Sequence, residues 1–325
     1  MDSIDENKII KEYLELKTQY HFLVDEVSFM LQLRLREENI NYASITKRVK
    51  ELDSFLEKIR RKNYEYPFSQ NTDFAGVRLV YIYKDELAKI ERIIKAELEI
   101  VEKVIQENEL EVNQFGYGAV HYIVKLSKKL IGPRYESIKD LKCEIQVRTI
   151  LQDSWALVSH HLQYKNENSV PKELLRKLSA LSGNFYLIDD QLVEFRNKRF
   201  DYKSELKTNK DKLLEQPINY DSIIEYMKFK FPELDLVISH GFLESFPQFL
   251  NQYGYFIIND IESLLTRTSE KRKLFNERED FGRSAAREIF VAVGFDRPES
   301  RVEFAIDRDV MLLSNIELEV SHFDK

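Results

Sequence analysis

Glu144, Gln146 and Arg148 alternate with Cys143, Ile145 and Val147 in the stretch CEIQVR. Period-two alternation marks a strand with one dressed face, here setting a carboxylate, an amide and a guanidinium in one row. Such a row can serve metal or phosphate chemistry, and it can equally be the solvated side of an edge strand. What surrounds it decides between the two. Ser44 to Lys62 carries seven basic residues (Lys47, Arg48, Lys50, Lys58, Arg60, Arg61, Lys62) against three acidic ones. Arg48 and Lys50, two apart in an extended segment, would point the same way, and Lys58 would sit one turn inside the helix that follows. Together they make an anion site, with Arg planar for stacking and Lys a point charge, or else a solvated basic helix face. Asp73, in NTDFAGVR, stands at the mouth of a core strand, where a carboxylate serves as a metal ligand or a loop cap. Gly76 beside it lets a group approach the backbone. Gly116 and Gly118 flank Tyr117, an arrangement that leaves its ring accessible for stacking on a base. His121 shares a strand face with Ala119 and Ile123, the usual place of a structural histidine.

The elements that must position these residues follow from periodicity. Residues 7–37 read as one long amphipathic helix. Ser54 to Glu57 fits a capping box, so a helix is expected to start near Asp53 or Ser54. Strands are expected near 77–83, 98–105, 119–126 and 143–148, with a helix over Lys84–Lys95 and a loop over Gln106–Phe115. A helix over Thr149–Tyr164 should bury Leu151, Trp155, Val158 and Leu162. Another opens at Pro171 and runs to about Arg199, with Leu174, Leu175, Leu178, Leu181, Tyr186, Leu187 and Leu192 as its apolar side. Lys203 to Lys212 is polar and reads as the domain boundary. Beyond it helices are expected over Ser222–Phe229, Glu244–Tyr253, Ile258–Asn276 and Gly282–Val293.

The 325 residues, 43% hydrophobic and 32% charged, suit a soluble globular chain of two domains. A net charge of −7 argues against a wholesale nucleic-acid coat. The single cysteine, Cys143, excludes an intrachain disulfide and, without ligand spacing, a zinc module. No apolar run approaches a membrane span, and the start MDSIDENKII has no signal-peptide pattern, so a cytoplasmic protein is expected.

Taken together, four ordered elements resemble the synthetase domain of the RelA/SpoT family, the bacterial (p)ppGpp synthetases. They are RVK with a lysine eight residues on (Arg48, Lys50, Lys58), DFAGVR (Asp73–Arg78), GYxxxH (Gly116–His121) and EIQVRTxxQxxWAxxxHxxxYK (Glu144–Lys165). The resemblance covers about residues 40–200. It implies an α+β fold, a nucleotidyltransferase-like mixed β-sheet flanked by helices, over 1–205, followed by a mainly α-helical C-terminal domain over 206–325. It also implies a pyrophosphokinase in which the 3′-hydroxyl of GDP or GTP attacks the β-phosphorus of ATP and AMP leaves. By similarity, Asp73 and Glu144 would hold Mg²⁺, with Glu144 placed to draw the hydroxyl proton. Arg48 and Arg78 would clasp adenine, and Lys50 and Lys58 would neutralise the ATP phosphates. Tyr117 would stack on the acceptor guanine. His121 and Arg148 would support phosphates or the strand that carries Glu144, with Gln146 as that residue's neighbour.

The chain departs from the family at Ala119, where Ser is usual, and at Ser159, where many members have Glu. It also departs at ENELEVNQF, where a lysine-containing loop is common. Two of these changes fall on the acceptor side, which keeps open a toxin-type relative that modifies the 3′ end of tRNA. A non-catalytic nucleotide-binding module is the third reading. No HD-type phosphohydrolase domain is expected. The C-terminal region is expected to regulate or to bind a protein partner, and a homo-oligomer is left open.

Overall fold

A computed structural model describes residues 6–105, 117–163, 172–236, 240–278 and 283–303. The chain divides into two compact units, Met1–Phe195 and Arg196–Lys325. Among the described residues no helix is long and apolar enough to cross a membrane.

In the first unit, helix α1 (Glu6–Glu37) leads into strand β1 (Tyr42–Val49), helix α2 (Leu52–Lys62) and the short helix α3 (Pro67–Gln70). Strand β2 (Ala75–Tyr81), helix α4 (Leu87–Glu97) and strand β3 (Leu98–Ile105) follow. Then come β4 (Val120–Leu126), the short helix α5 (Pro133–Glu136), β5 (Cys143–Thr149), α6 (Ile150–Gln163) and α7 (Lys172–Thr208), whose residues past Phe195 belong to the second unit. The five strands form one sheet in the order β1-β2-β5-β4-β3. Only β2 and β5 among its neighbours run parallel.

The expected mixed sheet with flanking helices is present, and β5 lies at its centre rather than at an edge. One strand more than expected is found. β1 holds Arg48 at the sheet's rim, and its mostly exposed residues leave little apolar alternation to read. The helix after it begins at Leu52, two residues ahead of the expected capping box, and its Glu51 N-cap makes no side-chain cap bond. Behind the sheet, Val77, Leu79, Ile145 and Val147 pack into one core with Leu23 of α1 and Ile94 of α4. Phe74 anchors the site side of this core, its ring 4.2 Å from Tyr20, 5.0 Å from Phe55 and 5.4 Å from Tyr13.

Helices α6 and α7 bury less than their periodicity promised. Trp155 is buried against Phe185, with ring centroids 5.3 Å apart, yet Val158 and Leu162 are exposed. So are Leu174, Leu181, Leu187 and Leu192 on α7. Periodicity tells which residues share a face, not which neighbour covers it. The polar stretch Lys203–Lys212 is almost wholly helical, split between the end of α7 and α8 (Lys210–Leu214).

The second unit continues with α9 (Tyr220–Lys230), α10 (His240–Gln252), α11 (Ile258–Arg267), α12 (Ser269–Arg278) and α13 (Ala285–Asp296). The one helix expected over Ile258–Asn276 is thus two, parted at Thr268, whose hydroxyl donates back to the Leu264 carbonyl at 2.7 Å. Ile223, Tyr226, Phe246, Leu250, Ile261 and Ile289 form this unit's core.

Candidate active site

Strand register assembles the site. Arg48 of β1 pairs with Gly76 of β2, and Gly76 pairs with Glu144 of β5. One row across the sheet therefore reads guanidinium, no side chain, carboxylate. The next row reads Thr46, Arg78, Gln146 and His121. The missing side chain of Gly76 leaves a cleft of about 220 Å³ lined by Arg48, Asp73, Gly76, Arg78, Glu144 and Gln146. A second, larger cleft of about 550 Å³ shares Arg48 and Asp73 and adds Lys50, Lys58, Ser54 and Arg61. The expected close approach at Gly76 is thus from the open side. A Cβ there would meet the Glu144 carbonyl oxygen at 3.6 Å, an ordinary contact.

Asp73 precedes β2 and is paired twice, with Lys50 at 2.7 Å and Lys58 at 2.9 Å. Lys58 also donates to Asn71 Oδ1 at 3.0 Å. Backbone bonds hold this corner: the Lys50 N–H donates to the Phe74 carbonyl at 2.8 Å, and the Tyr13 hydroxyl donates to the Lys50 carbonyl at 2.9 Å. Burial pushes the Asp73 carboxyl up, but the two ammoniums more than offset it and hold it below its ordinary value.

Glu144 is half-buried and bonded at both oxygens. His121 Nδ1 lies 2.9 Å from Oε1, and Gln146 Nε2 donates to Oε2 at 2.9 Å. Burial raises its pKa, the two donors lower it, and the donors win against the added repulsion of Asp73. An ionised carboxylate only accepts, so the His121 proton facing it sits on Nδ1. His121, whose strand position suggests a structural residue and which the resemblance sets to support phosphates or the strand carrying Glu144, is thus in contact with that carboxylate.

Arg78 and Arg148 converge on Asp153 of α6, at 3.3 and 3.6 Å, and both reach Gln146 Oε1 at 3.4 Å. Burial and then the charge of Arg78 pull the Arg148 guanidinium below its ordinary pKa. Asp153 was not foreseen. Its only signal was an acidic residue in a helix's first turn, where the helix dipole alone accounts for it.

Tyr117 is the correction. Its ring was expected to be accessible, yet the residue is 5% exposed, with Phe185 of α7 stacked at 6.0 Å. Its hydroxyl donates to Asp189 and lies 3.2 Å from Thr149 Oγ1. Asp189 carries no sequence signal, and Thr149 stands in the EIQVRT motif with no role expected of it. Of the departures from the family pattern, Ala119 is buried and Ser159 donates to its own helix at the Ala156 carbonyl, 3.3 Å away. Gly116, ENELEVNQF, Tyr164 and Lys165 lie outside the described residues.

The donor set suits a hard cation. Two ionised carboxylates open on one cleft without thiolate or neighbouring imidazole pairs, the arrangement by which Mg²⁺ is held among phosphates. Among the described residues no group of three or more His, Cys, Asp and Glu forms a ready-made cage, so phosphate oxygens or waters would have to complete the shell.

Residues 47–169 match the family model described as the region found in RelA / SpoT proteins. The resemblance to RelA/SpoT proteins therefore holds for this region of the chain. It is 25% identical over 188 residues to the GTP pyrophosphokinase YwaC of Bacillus subtilis (strain 168), covering 55% of this chain and 88% of that protein. It is 26% identical over 155 residues to the GTP pyrophosphokinase YjbM of the same organism, covering 47% of this chain and 72% of that one. Among solved structures, a GTP pyrophosphokinase family protein from Streptococcus pneumoniae is 23% identical. That match covers 59% of this chain and 96% of the other, with a TM-score of 0.49.

Proposed function

We propose that this chain transfers pyrophosphate from ATP to the 3′-hydroxyl of GDP or GTP, giving (p)ppGpp and AMP with Mg²⁺ as cofactor. The observation that carries this reading is the cleft shared by Asp73 and Glu144, with Arg48 and Arg78 on its walls and Lys50 and Lys58 at the adjoining one. Relatives named GTP pyrophosphokinases over the same region support it.

Phosphoryl transfer asks a protein chiefly for positioning and charge neutralisation. The planar guanidiniums of Arg48 and Arg78 suit the faces of adenine, and Lys50 and Lys58 suit its phosphates. Both lysines are engaged by Asp73, so ATP binding exchanges one anionic partner for another. Asp73 and Glu144 would hold Mg²⁺, which supplies charge neutralisation at the phosphates. Glu144 is the base for the 3′-hydroxyl proton. The new bond joins the 3′-oxygen to the β-phosphorus, the α–β bridging bond breaks, and AMP takes the electron pair. His121 and Gln146 hold the Glu144 carboxylate in place, and Arg148 faces the same cleft side through Gln146 and Asp153.

We propose a regulatory or protein-binding role for the second unit and a cytoplasmic location, which suits ATP and a guanosine nucleotide as substrates. Incubation with γ-labelled ATP and GDP, GTP or deacylated tRNA tests the acceptor. Label on a guanosine nucleotide is expected. Label on tRNA alone would replace this acceptor with the tRNA end, and no label on any acceptor would leave a binding module.

A further inference from the structure

A buried polar group outside the cleft joins four segments: the chain just before β4, the end of β5, the start of α6, and α7. Tyr117, three residues ahead of β4, donates its phenol proton to Asp189 Oδ2 of α7. Thr149, the last residue of β5, donates its hydroxyl to the same oxygen at 2.7 Å. Gln152 in the first turn of α6 completes the group. Its Oε1 accepts from the Thr149 N–H at 2.8 Å, and its Nε2 donates to the Gly118 carbonyl at 2.7 Å. Asp189 is 1% exposed and Thr149 is fully buried. Asp189 Oδ1 has no hydrogen-bond partner among the described residues, so the two hydroxyls, with the charge of Lys84 acting through space, compensate this buried carboxyl.

A carboxyl group placed at this depth on two hydroxyl donors is a costly way to hold a helix, and an apolar pair would do that more cheaply. What it provides is direction: two hydroxyls from different segments must meet one oxygen. Tyr117 stands four residues before His121, which lies on β4 and touches Glu144. Tyr117 and the central carboxylate are thus joined by a short run of backbone and one side chain.

We propose that Asp189 is a positioning residue which, through the Tyr117 hydroxyl and Thr149, sets the Tyr117–His121 segment against β5. The part of Tyr117 that matters is its oxygen, because the ring is enclosed and the hydroxyl is engaged. The inference rests on the transfer reaction proposed above for His121 and Glu144, and it brings into that reaction a helix beyond the family-matched residues 47–169.

The test uses the full chain with Tyr117→Phe, Asp189→Asn and the double variant, and it has two arms. In hydrogen–deuterium exchange, each single variant should speed exchange in peptides over 117–126 by about tenfold and leave 42–81 unchanged. In transfer kinetics, each should lower kcat by about tenfold with KM for ATP held within about twofold, and the double should be no worse than the more damaging single. Unchanged exchange, exchange raised evenly along the chain, wild-type kcat in Tyr117→Phe, or multiplying losses in the double would each overturn the proposal. Tyr117→Phe removes a single atom and decides the matter even where Asp189→Asn fails to fold. Should the wild-type chain label no guanosine nucleotide, the transfer reading falls while the exchange arm still judges the strut.

Discussion

His121 Nδ1 stands 2.9 Å from Glu144 Oε1, and Gln146 fixes the other oxygen of that carboxylate at 2.9 Å. Glu144 is therefore oriented from two sides by nitrogen donors on adjoining strand positions. Replacing His121 with Ala should lower kcat by about 10–100-fold and leave the melting temperature nearly unchanged, since the carboxylate stays but loses its aim. Glu144→Gln should cost about 10²–10⁴-fold in kcat with the fold intact. Single-turnover transfer and circular dichroism check both, and wild-type turnover in Glu144→Gln would remove this residue from the chemistry.

Acid should act through the same corner. Asp73 and Glu144 are both held below their ordinary values of 3.8 and 4.5 in the fold. A group depressed in this way adds stability above its unfolded pKa and loses it as pH falls through the folded one. The stability advantage of the wild type over Asp73→Asn should thus be full at pH 6 to 7 and should shrink as pH drops below about 4. Melting curves from pH 3 to 7 measure it, and a gap constant with pH would contradict the ion-paired state of Asp73.

Gly76→Ala should separate folding from substrate use. The added Cβ meets only an ordinary contact at 3.6 Å, and stability should change by less than about 1 kcal/mol. The methyl group would, however, stand in the row between Arg48 and Glu144, within the 220 Å³ cleft. KM for ATP should rise by about tenfold or more, equivalent to about 1.4 kcal/mol of lost binding. Unchanged ATP use would mean that the nucleotide does not enter this row.

Phe74→Ala should be the damaging core change near the site. The ring is enclosed by Tyr13, Tyr20, Phe55 and Phe68, and its loss should cost about 3–5 kcal/mol. Because the Phe74 carbonyl also receives the Lys50 N–H, ATP binding should weaken along with stability. Urea unfolding and ATP titration of the same variant test whether the two losses travel together.

Much of this site was legible because its chemistry lies on strands. Alternation in CEIQVR sorted Glu144, Gln146 and Arg148 from the apolar residues behind them, and the burial of β5 follows that alternation along its whole length. β1 was missed because an edge strand carrying YASITKRV buries little and so shows no apolar period. Asp189 was invisible for a different reason. It sits beside Asp190 in a charged helix, and its partners are 40 and 72 residues away in sequence, a pairing that local pattern cannot express. Tyr117 misled because flanking glycines speak of backbone freedom and say nothing of what will pack on the ring.

The one parallel pairing in the sheet, β2 against β5, has a consequence for how such a chain can diversify. Parallel neighbours bring their starting ends together, so Asp73 before β2 and Glu144 near the start of β5 meet at one rim. Everything between them, from α4 through β3, β4 and α5, is a crossover that leaves that rim and returns to it. On the proposed reading, the ATP-handling residues stand on the flanks of this excursion, and His121 and Tyr117 stand inside it. Insertions, deletions or exchanges within the excursion can then redraw what the second substrate meets while Asp73 and Glu144 keep their spacing. Strand direction alone fixes where those two carboxylates meet.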